Sequence, residues 1–367
     1  MTVFPSTLDP GRRCPRTFQI ILNATTNTAV SVALLGDAAQ RAGGRAADRM
    51  AQVHALFGDD MAEVDRELSR MTREGLSPAT DSATHLLEAG GKRIRPLTVL
   101  LSAACFGALP PAARDIAVVA ELVHLATLLH DDVVDDGQER RGRPTPRRIW
   151  GNAVSVLAGD LLLTHALERT AAAAPPGVLS DLVSTLRCLV DGEVVQLRGR
   201  THLDPREDVY FRIVRNKTAS LFGWAARAGA AIAKAPAGAA IALGAFGLHV
   251  GVAFQLIDDV LDYAGDPRAT GKALLSDLVE GKLTLPLIRT LAAQPALGSD
   301  VLGVRAGDRK AALRIAEAVR SSGACESVLA LAREETAQAL ALLEVLPPSV
   351  ARDLLGEIAR ELASRAA

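Results

Sequence analysis

One acidic pattern occurs twice in this chain, each time at the end of an apolar run. Glu121-Leu122-Val123-His124-Leu125-Ala126-Thr127-Leu128-Leu129 leads into His130-Asp131-Asp132-Val133-Val134-Asp135-Asp136. Phe254-Gln255-Leu256-Ile257 leads into Asp258-Asp259-Val260-Leu261-Asp262. Residues four apart share a helix face, so Asp131 repels Asp135 and Asp258 repels Asp262. Carboxylates beside apolar packing need pairing, protonation or a metal. A single such cluster reads as a solvated helix end. Two of the same grammar predict ligand sets facing one cavity. Hard oxygen donors suit Mg²⁺, which binds through a few carboxylates, waters and substrate phosphates.

Composition narrows the fold. Hydrophobic residues make up 49% of 367 residues, enough for a large core. Alanine and leucine dominate and β-branched alternation is scarce, which predicts an all-α architecture. A net charge of -1 leaves no global field for nucleic acid, and 3% aromatics provide few base-stacking platforms. The four cysteines, Cys14, Cys105, Cys188 and Cys325, form no Cys-x-x-Cys, which argues for free thiols in a reducing, cytoplasmic setting. Residues 237–257 are long and apolar enough to span a bilayer. Their Gly/Ala content, His249, Gln255 and the aspartates that follow point instead to a buried central helix, with no transmembrane segment. Residues 1–49 lack periodicity and carry Pro5, Pro10 and Pro15. They are expected to be a poorly ordered extension, or sequence upstream of a start near Met50, ahead of one folded domain over 50–367. Val64, Leu68 and Met71 then fall at helical spacing.

Cations accompany the acids. Gly90-Gly91-Lys92-Arg93-Ile94-Arg95-Pro96 breaks one helix and starts another, and gathers three cations where backbone N–H groups favour anions. Arg140-Arg141-Gly142 follows the first acidic cluster, and arginine grips phosphate through a bidentate fork. Lys217-Thr218 lies between the two clusters; Lys272 and Lys282 follow the second. Asp160 is read as structural, and Gln196 as equally suited to structure or cavity. No nucleophile stands with a base, and no zinc arrangement appears. Acids for metal and cations for phosphate leave two reaction classes: phosphoryl transfer, or departure of diphosphate from carbon. The glycine-rich nucleotide loop of the first is missing. The second needs metal on the leaving group and an apolar cavity behind it, and an apolar helix ending in Asp-Asp-x-x-Asp offers both.

From Met50 onward the chain resembles the trans-isoprenyl diphosphate synthases. The motifs that carry the resemblance are Gly-Gly-Lys-Arg-x-Arg-Pro at 90–96, Asp-Asp-x-x-Asp then Arg-Arg-Gly at 131–142, Lys-Thr at 217–218, Phe-Gln-x-x-Asp-Asp-x-x-Asp at 254–262, and Gly-Lys with Asp-Leu-x-Glu-Gly-Lys-x-Thr-Leu-Pro at 271–286. The resemblance implies an isoprenoid-synthase helical bundle around a central cavity, assembled as a homodimer. It implies Mg²⁺-dependent condensation of isopentenyl diphosphate onto an allylic diphosphate such as farnesyl diphosphate. The alkene attacks the allylic cation and a proton then leaves. By the same resemblance Asp131, Asp135 and Asp258 are direct metal ligands, supported by Asp132, Asp259 and Asp262. Lys92, Arg95, His124 and Arg141 take isopentenyl diphosphate. Arg140, Lys217, Thr218, Gln255, Lys272 and Lys282 take the allylic diphosphate.

Two features bear on the product. Leu275 stands where many long-chain members have glycine. Ala126 and Thr127, just before Asp131, are small where short-chain members place a bulky aromatic, so the cavity floor is expected to be open there. That predicts a hexaprenyl to decaprenyl product, centrally octaprenyl, of the kind that serves as a quinone side chain. Rival readings are a short-chain synthase with a block deeper than Val119, a terpene cyclase and a non-catalytic partner subunit. Intact second-site aspartates and few aromatics weigh against the cyclase. Two intact triplets weigh against the inactive subunit.

Overall fold

A computed structural model describes residues 44–201, 203–264 and 275–364. Among these, structure is almost wholly helical. The helices are α1 (Gly44–Met71), α2 (Ala79–Glu88), α3 (Ile94–Ala104), α4 (Pro111–Val134), α5 (Pro146–Trp150), α6 (Asn152–Ala173), α7 (Pro176–Thr201) and α8 (Glu207–Val214). There follow α9 (Ser220–Ile232), α10 (Ala237–Ala264), α11 (Ser276–Val279), α12 (Leu285–Ala293), α13 (Gly298–Arg305), α14 (Arg309–Ser321), α15 (Ala324–Leu342) and α16 (Val350–Ser364). A π-helical turn, Arg215–Ala219, joins α8 to α9. One short hairpin pairs β1 (Glu139–Arg140) with β2 (Arg143–Pro144). Helix α1 begins at Gly44, six residues ahead of the expected start at Met50; the rest of the expected extension, 1–43, lies outside the described residues.

Each long helix forms because its apolar side chains recur at helical spacing. On α1, Phe57, Val64, Leu68 and Met71 are buried while Glu63, Arg66 and Arg70 pair outside. Helix α4 starts with proline at its first turn, where the missing N–H costs nothing. It packs against α3 and α6; α3 packs on α9, α9 on α10, and α10 on α15. Two apolar cores result, and α10 belongs to both. Its Leu243, Phe246 and Val250 join the core built around α3, α4 and α9. Its Leu256, Ile257, Val260 and Tyr263 join a second core with α12 and α14. By length and apolarity α10 could cross a membrane, yet 56% of its most apolar stretch is buried by neighbouring helices.

Close backbone approach makes the α9–α10 contact glycine-dependent. A Cβ at Gly247 would stand 2.3 Å from the carbonyl oxygen of Phe222, a rigid backbone atom. A Cβ at Gly238, on the same helix, would meet nothing within 4 Å. Overpacking of this kind costs about 1–3 kcal/mol. Gly247→Ala should therefore lower the unfolding free energy by an amount in that range, read as a lower urea midpoint, whereas Gly238→Ala should leave the midpoint unchanged or slightly raised. Equal midpoints for the two variants would contradict the packing.

Candidate active site

The two acidic clusters sit at the C-terminal ends of α4 and α10, and their carboxylates divide by environment. The first member of each, Asp131 and Asp258, is half-buried. The second members are almost fully buried and engaged. Asp132 accepts a forked pair of hydrogen bonds from Arg140, Nε at 2.9 Å and Nη2 at 2.7 Å. Asp259 accepts from the Tyr210 hydroxyl at 2.7 Å and from Gln255 Nε2 at 2.8 Å. The third members differ. Asp135 faces Lys282 Nζ at 3.2 Å. Asp262 accepts from the backbone N–H of Ser276 at 3.0 Å and its hydroxyl at 2.9 Å, and so tethers the segment after residue 274.

Cations converge on these acids from separate elements. Lys217 Nζ stands 3.4 Å from Asp131 and also pairs with Glu193 on α7. The π-helical turn lets this happen: a Cβ at Gly192 would lie 2.8 Å from the Lys217 nitrogen, so α7 and the turn touch there. Removal from water raises the Asp131 pKa, and Lys217 opposes that shift. Burial also pushes Asp259 up to about 7, reinforced by Asp277. Asp262 is pushed up to about 6 for the same two reasons. In the ion pairs of this region among the described residues, Asp131, Asp132, Asp135, Glu193, Asp277 and Glu280 share Lys217, Arg140 and Lys282, so six carboxylates meet three cations.

The opposite imbalance holds two turns back on α4. Arg95 stacks over the Phe222 ring at 4.4 Å, and its Nε is buried without a hydrogen-bond partner. Burial lowers its pKa to about 10, although Glu121 and Asp258 pull the other way. His124 has its pKa lowered well below normal, first by burial, then by Arg95, Arg141, Arg140 and Arg93. It is therefore neutral at pH 7. Burial likewise lowers Arg141. Arg140 and Arg141 are placed by the hairpin, whose two-residue turn puts Arg141 and Gly142 at φ 52 and 73. Positive φ at both turn positions matches strand twist, but is unusual for arginine.

Arg93 belongs elsewhere. The sequence grouped it with Lys92 and Arg95 as an anion-gathering cation. Its side chain is 4% exposed and is held by Asp65 at 3.1 Å and Glu121 at 2.7 Å. Desolvation forces this pairing, and Arg93 serves as a buried strut between α1, α3 and α4. Gly91 is required beside it, since a Cβ there would stand 2.8 Å from Arg93 Nη1. Lys92 is exposed at the start of α3, and Thr218 Oγ1 donates to Gln255 Oε1 at 2.9 Å. Lys272 lies outside the described residues. Asp160 is mostly exposed and pairs with His130 at 3.3 Å. Gln196 donates to Glu193. Sequence reading missed Asp65, Glu121, Glu193 and Tyr210; none belongs to a recognisable spacing pattern, and each acts through a partner distant in sequence.

Among the described residues no three carboxylate, histidine or cysteine side chains already converge as a metal cage. The donor chemistry nevertheless fits a hard dication: the half-buried carboxylate oxygens of Asp131, Asp135 and Asp258 stand at the ends of two helices.

The polyprenyl synthetase family model matches residues 78–320. The chain belongs to that family. It is 36% identical over 324 residues to a heptaprenyl diphosphate synthase component 2 from Geobacillus stearothermophilus, covering 86% of this chain and 99% of that one. It is also 36% identical to an all-trans-nonaprenyl-diphosphate synthase (geranyl-diphosphate specific) from Rhodobacter capsulatus, over 86% and 98% of the two chains. A polyprenyl synthase from Caulobacter crescentus CB15, solved with calcium and isoprenyl diphosphate, superposes with a TM-score of 0.82 at 37% identity, over 87% and 98%. The chain is thus an all-α prenyltransferase of the trans-prenyl diphosphate synthase type, which joins isopentenyl diphosphate to an allylic diphosphate.

The strut and the charge imbalance give two checks. Removing one partner of a buried ion pair costs about 3–5 kcal/mol, so Glu121→Ala should lose stability on that scale in chemical unfolding. Mg²⁺ with inorganic diphosphate should raise the melting temperature of the wild-type chain by more than the sum of the two separate shifts. Ligand at about a hundred times its Kd adds about 2.7 kcal/mol. Additive single-component shifts would show that acids and cations do not share a ligand.

Proposed function

We propose that this chain is a Mg²⁺-dependent synthase of a long all-trans polyprenyl diphosphate, centrally octaprenyl. One observation carries the reading: among the described residues six carboxylates share three cations at the end of α4, and two turns back, beside His124, Arg95 of α3 is buried with its Nε unpartnered. A metal-bound diphosphate answers both imbalances together. Asp131, Asp135 and Asp258 are the residues to hold the metal: Asp259 and Asp262 accept hydrogen bonds on both carboxylate oxygens, and Asp132 gives one of its oxygens to Arg140. Bound there, Mg²⁺ supplies Lewis-acid stabilisation of the leaving diphosphate.

The remaining roles fall to the chain itself. Lys217 and Lys282 neutralise Asp131 and Asp135 here, and once relieved of them can meet the allylic diphosphate. Thr218, Gln255, Arg140 and Lys272 complete that subsite. Lys92, Arg95, His124 and Arg141 hold isopentenyl diphosphate, and neutral His124 donates a hydrogen bond without adding charge. Phe222 and Phe254, with ring centres 5.8 Å apart, begin an apolar wall that keeps water from the allylic carbon.

Length is supported by α4. Ala126 is fully buried and small, and Thr127 turns its hydroxyl back to the His124 carbonyl at 2.8 Å. No aromatic stands within that turn. Relatives named for heptaprenyl and nonaprenyl products bracket the octaprenyl assignment. A chain of that length suits a quinone side chain. Homodimer formation is supported by an exposed apolar stripe on α7: Val183, Val190, Val194 and Leu197 are 44–62% exposed at helical spacing. Free Cys105, Cys188 and Cys325 agree with a cytoplasmic setting.

Incubation of the purified chain with farnesyl diphosphate, labelled isopentenyl diphosphate and Mg²⁺ should give products well beyond geranylgeranyl diphosphate on chromatography. Products that stop at geranylgeranyl would replace this reading with a short-chain synthase. Activity only with a second polypeptide would make the chain one component of a heteromeric enzyme, as the name of one relative suggests. Ala126→Tyr should shorten the product, and an unchanged length would refute growth of the chain along α4.

A further inference from the structure

Tyr210 belongs to none of the sequence motifs, yet it is 5% exposed and bonded into the site. Its hydroxyl donates to Asp259 Oδ2 at 2.7 Å. The other carboxylate oxygen of Asp259 accepts from Gln255 Nε2 at 2.8 Å. Gln255 Oε1 accepts from Thr218 Oγ1 at 2.9 Å. Tyr210 and Thr218 lie eight residues apart on one continuous stretch, α8 and the π-helical turn. Asp259 and Gln255 lie four apart on α10. The four side chains therefore pin two elements together at two points.

Each bond in this chain constrains the next. With both oxygens of Asp259 engaged, Gln255 must present its amide N–H₂ to Asp259 and its carbonyl to Thr218. Reversal of the amide would leave a buried donor facing the Thr218 hydroxyl, and an acceptor facing a carboxylate. Lys217 and Asp258 flank the pinned residues, one on each element. A slip of α8 against α10 would separate the cation from the carboxylate that must address the same diphosphate. Tyr210 also belongs to the second apolar core with Val252 and Leu256 of α10, so the stretch is anchored by packing as well as by the hydroxyl.

We propose that Tyr210 is a positioning residue for the allylic-diphosphate subsite: through Asp259 it sets the register between the Lys217–Thr218 turn and the Asp258 end of α10. The proposal rests on the reading that these residues hold the allylic diphosphate and its metal. It assigns the hydroxyl, and not the ring, to substrate and metal affinity.

Tyr210→Phe in the full-length chain separates the two, because it keeps the ring and deletes one bond to the Asp259 carboxyl group. Loss of such a bond is on the order of tenfold in an equilibrium constant. The KM for farnesyl diphosphate and the half-saturating Mg²⁺ concentration should each rise by about that factor. The KM for isopentenyl diphosphate and the melting temperature should stay close to wild type. Asp259→Asn, which keeps the shape and weakens the same link, should move the same two constants. Unchanged constants in Tyr210→Phe, an equal rise in KM for both substrates, or an unfolded variant would each reduce Tyr210 to a packing residue and overturn the proposal. A wild-type chain without Mg²⁺-dependent turnover would overturn the underlying reading of the site instead.

Discussion

Carboxylates at a helix C-terminus oppose two fields at once. They repel one another along the face they share, and they sit on the negative end of the helix dipole. Both α4 and α10 end this way, with apolar packing behind. Positive charge must then be delivered from outside the helix, and the chain does so from three places. The π-helical turn brings Lys217 to Asp131, the hairpin brings Arg140 to Asp132, and the loop before α12 brings Lys282 to Asp135. Three segments with no periodicity of their own are fixed by this compensation. They also supply the cations that a diphosphate needs, so structural and binding requirements fall on the same side chains.

Local backbone strain follows the same map. Among the described residues five non-glycines hold positive φ: Arg93, Asp136, Arg141 and Leu275 flank the site, and Lys234 lies in the turn between α9 and α10. Such conformations persist only where the surroundings over-determine them. Arg93 is held by Asp65 and Glu121, and Arg141 by the hairpin turn. Leu275 is 9% exposed in the second core, and its N–H donates to the Asp262 carbonyl at 2.9 Å. Glycine at 275 would relieve the strain and give up that burial. The leucine trades backbone ease for a loop tied to the end of α10.

The fold class and the charged residues of the candidate site are legible in the sequence. The all-α class followed from composition and spacing, and the aspartate clusters announced themselves because they repeat. What stayed hidden depends on pairing across sequence distance. Arg93 read as a ligand-gathering cation because its type and neighbours matched Lys92 and Arg95. Its partners Asp65 and Glu121 each lie 28 residues away, one on either side, and only folding brings them in. Glu193 and Tyr210 were hidden for the same reason. The π-helical turn that aims Lys217 leaves no propensity signature. The opening of α1 ahead of Met50 was missed because the apolar stripe begins later than the helix.

The repetition of Asp-Asp-x-x-Asp invites the view that the two clusters are equivalent halves. Their surroundings say otherwise. On α4, Asp131 and Asp135 both face lysines and only Asp132 is committed to an arginine. On α10, Asp259 is closed off by Tyr210 and Gln255, and Asp262 by Ser276 and the Asp277 backbone N–H. A carboxylate that already accepts two or three hydrogen bonds has few lone pairs left for a cation. The first helix therefore meets its neighbours through displaceable lysine pairs at Asp131 and Asp135, and the second through two aspartates fixed by hydrogen bonds. The same five-residue pattern does two jobs. On α4 it presents charge to the cavity; on α10 two of its three aspartates stitch neighbouring segments so that Asp258 stands in a fixed place.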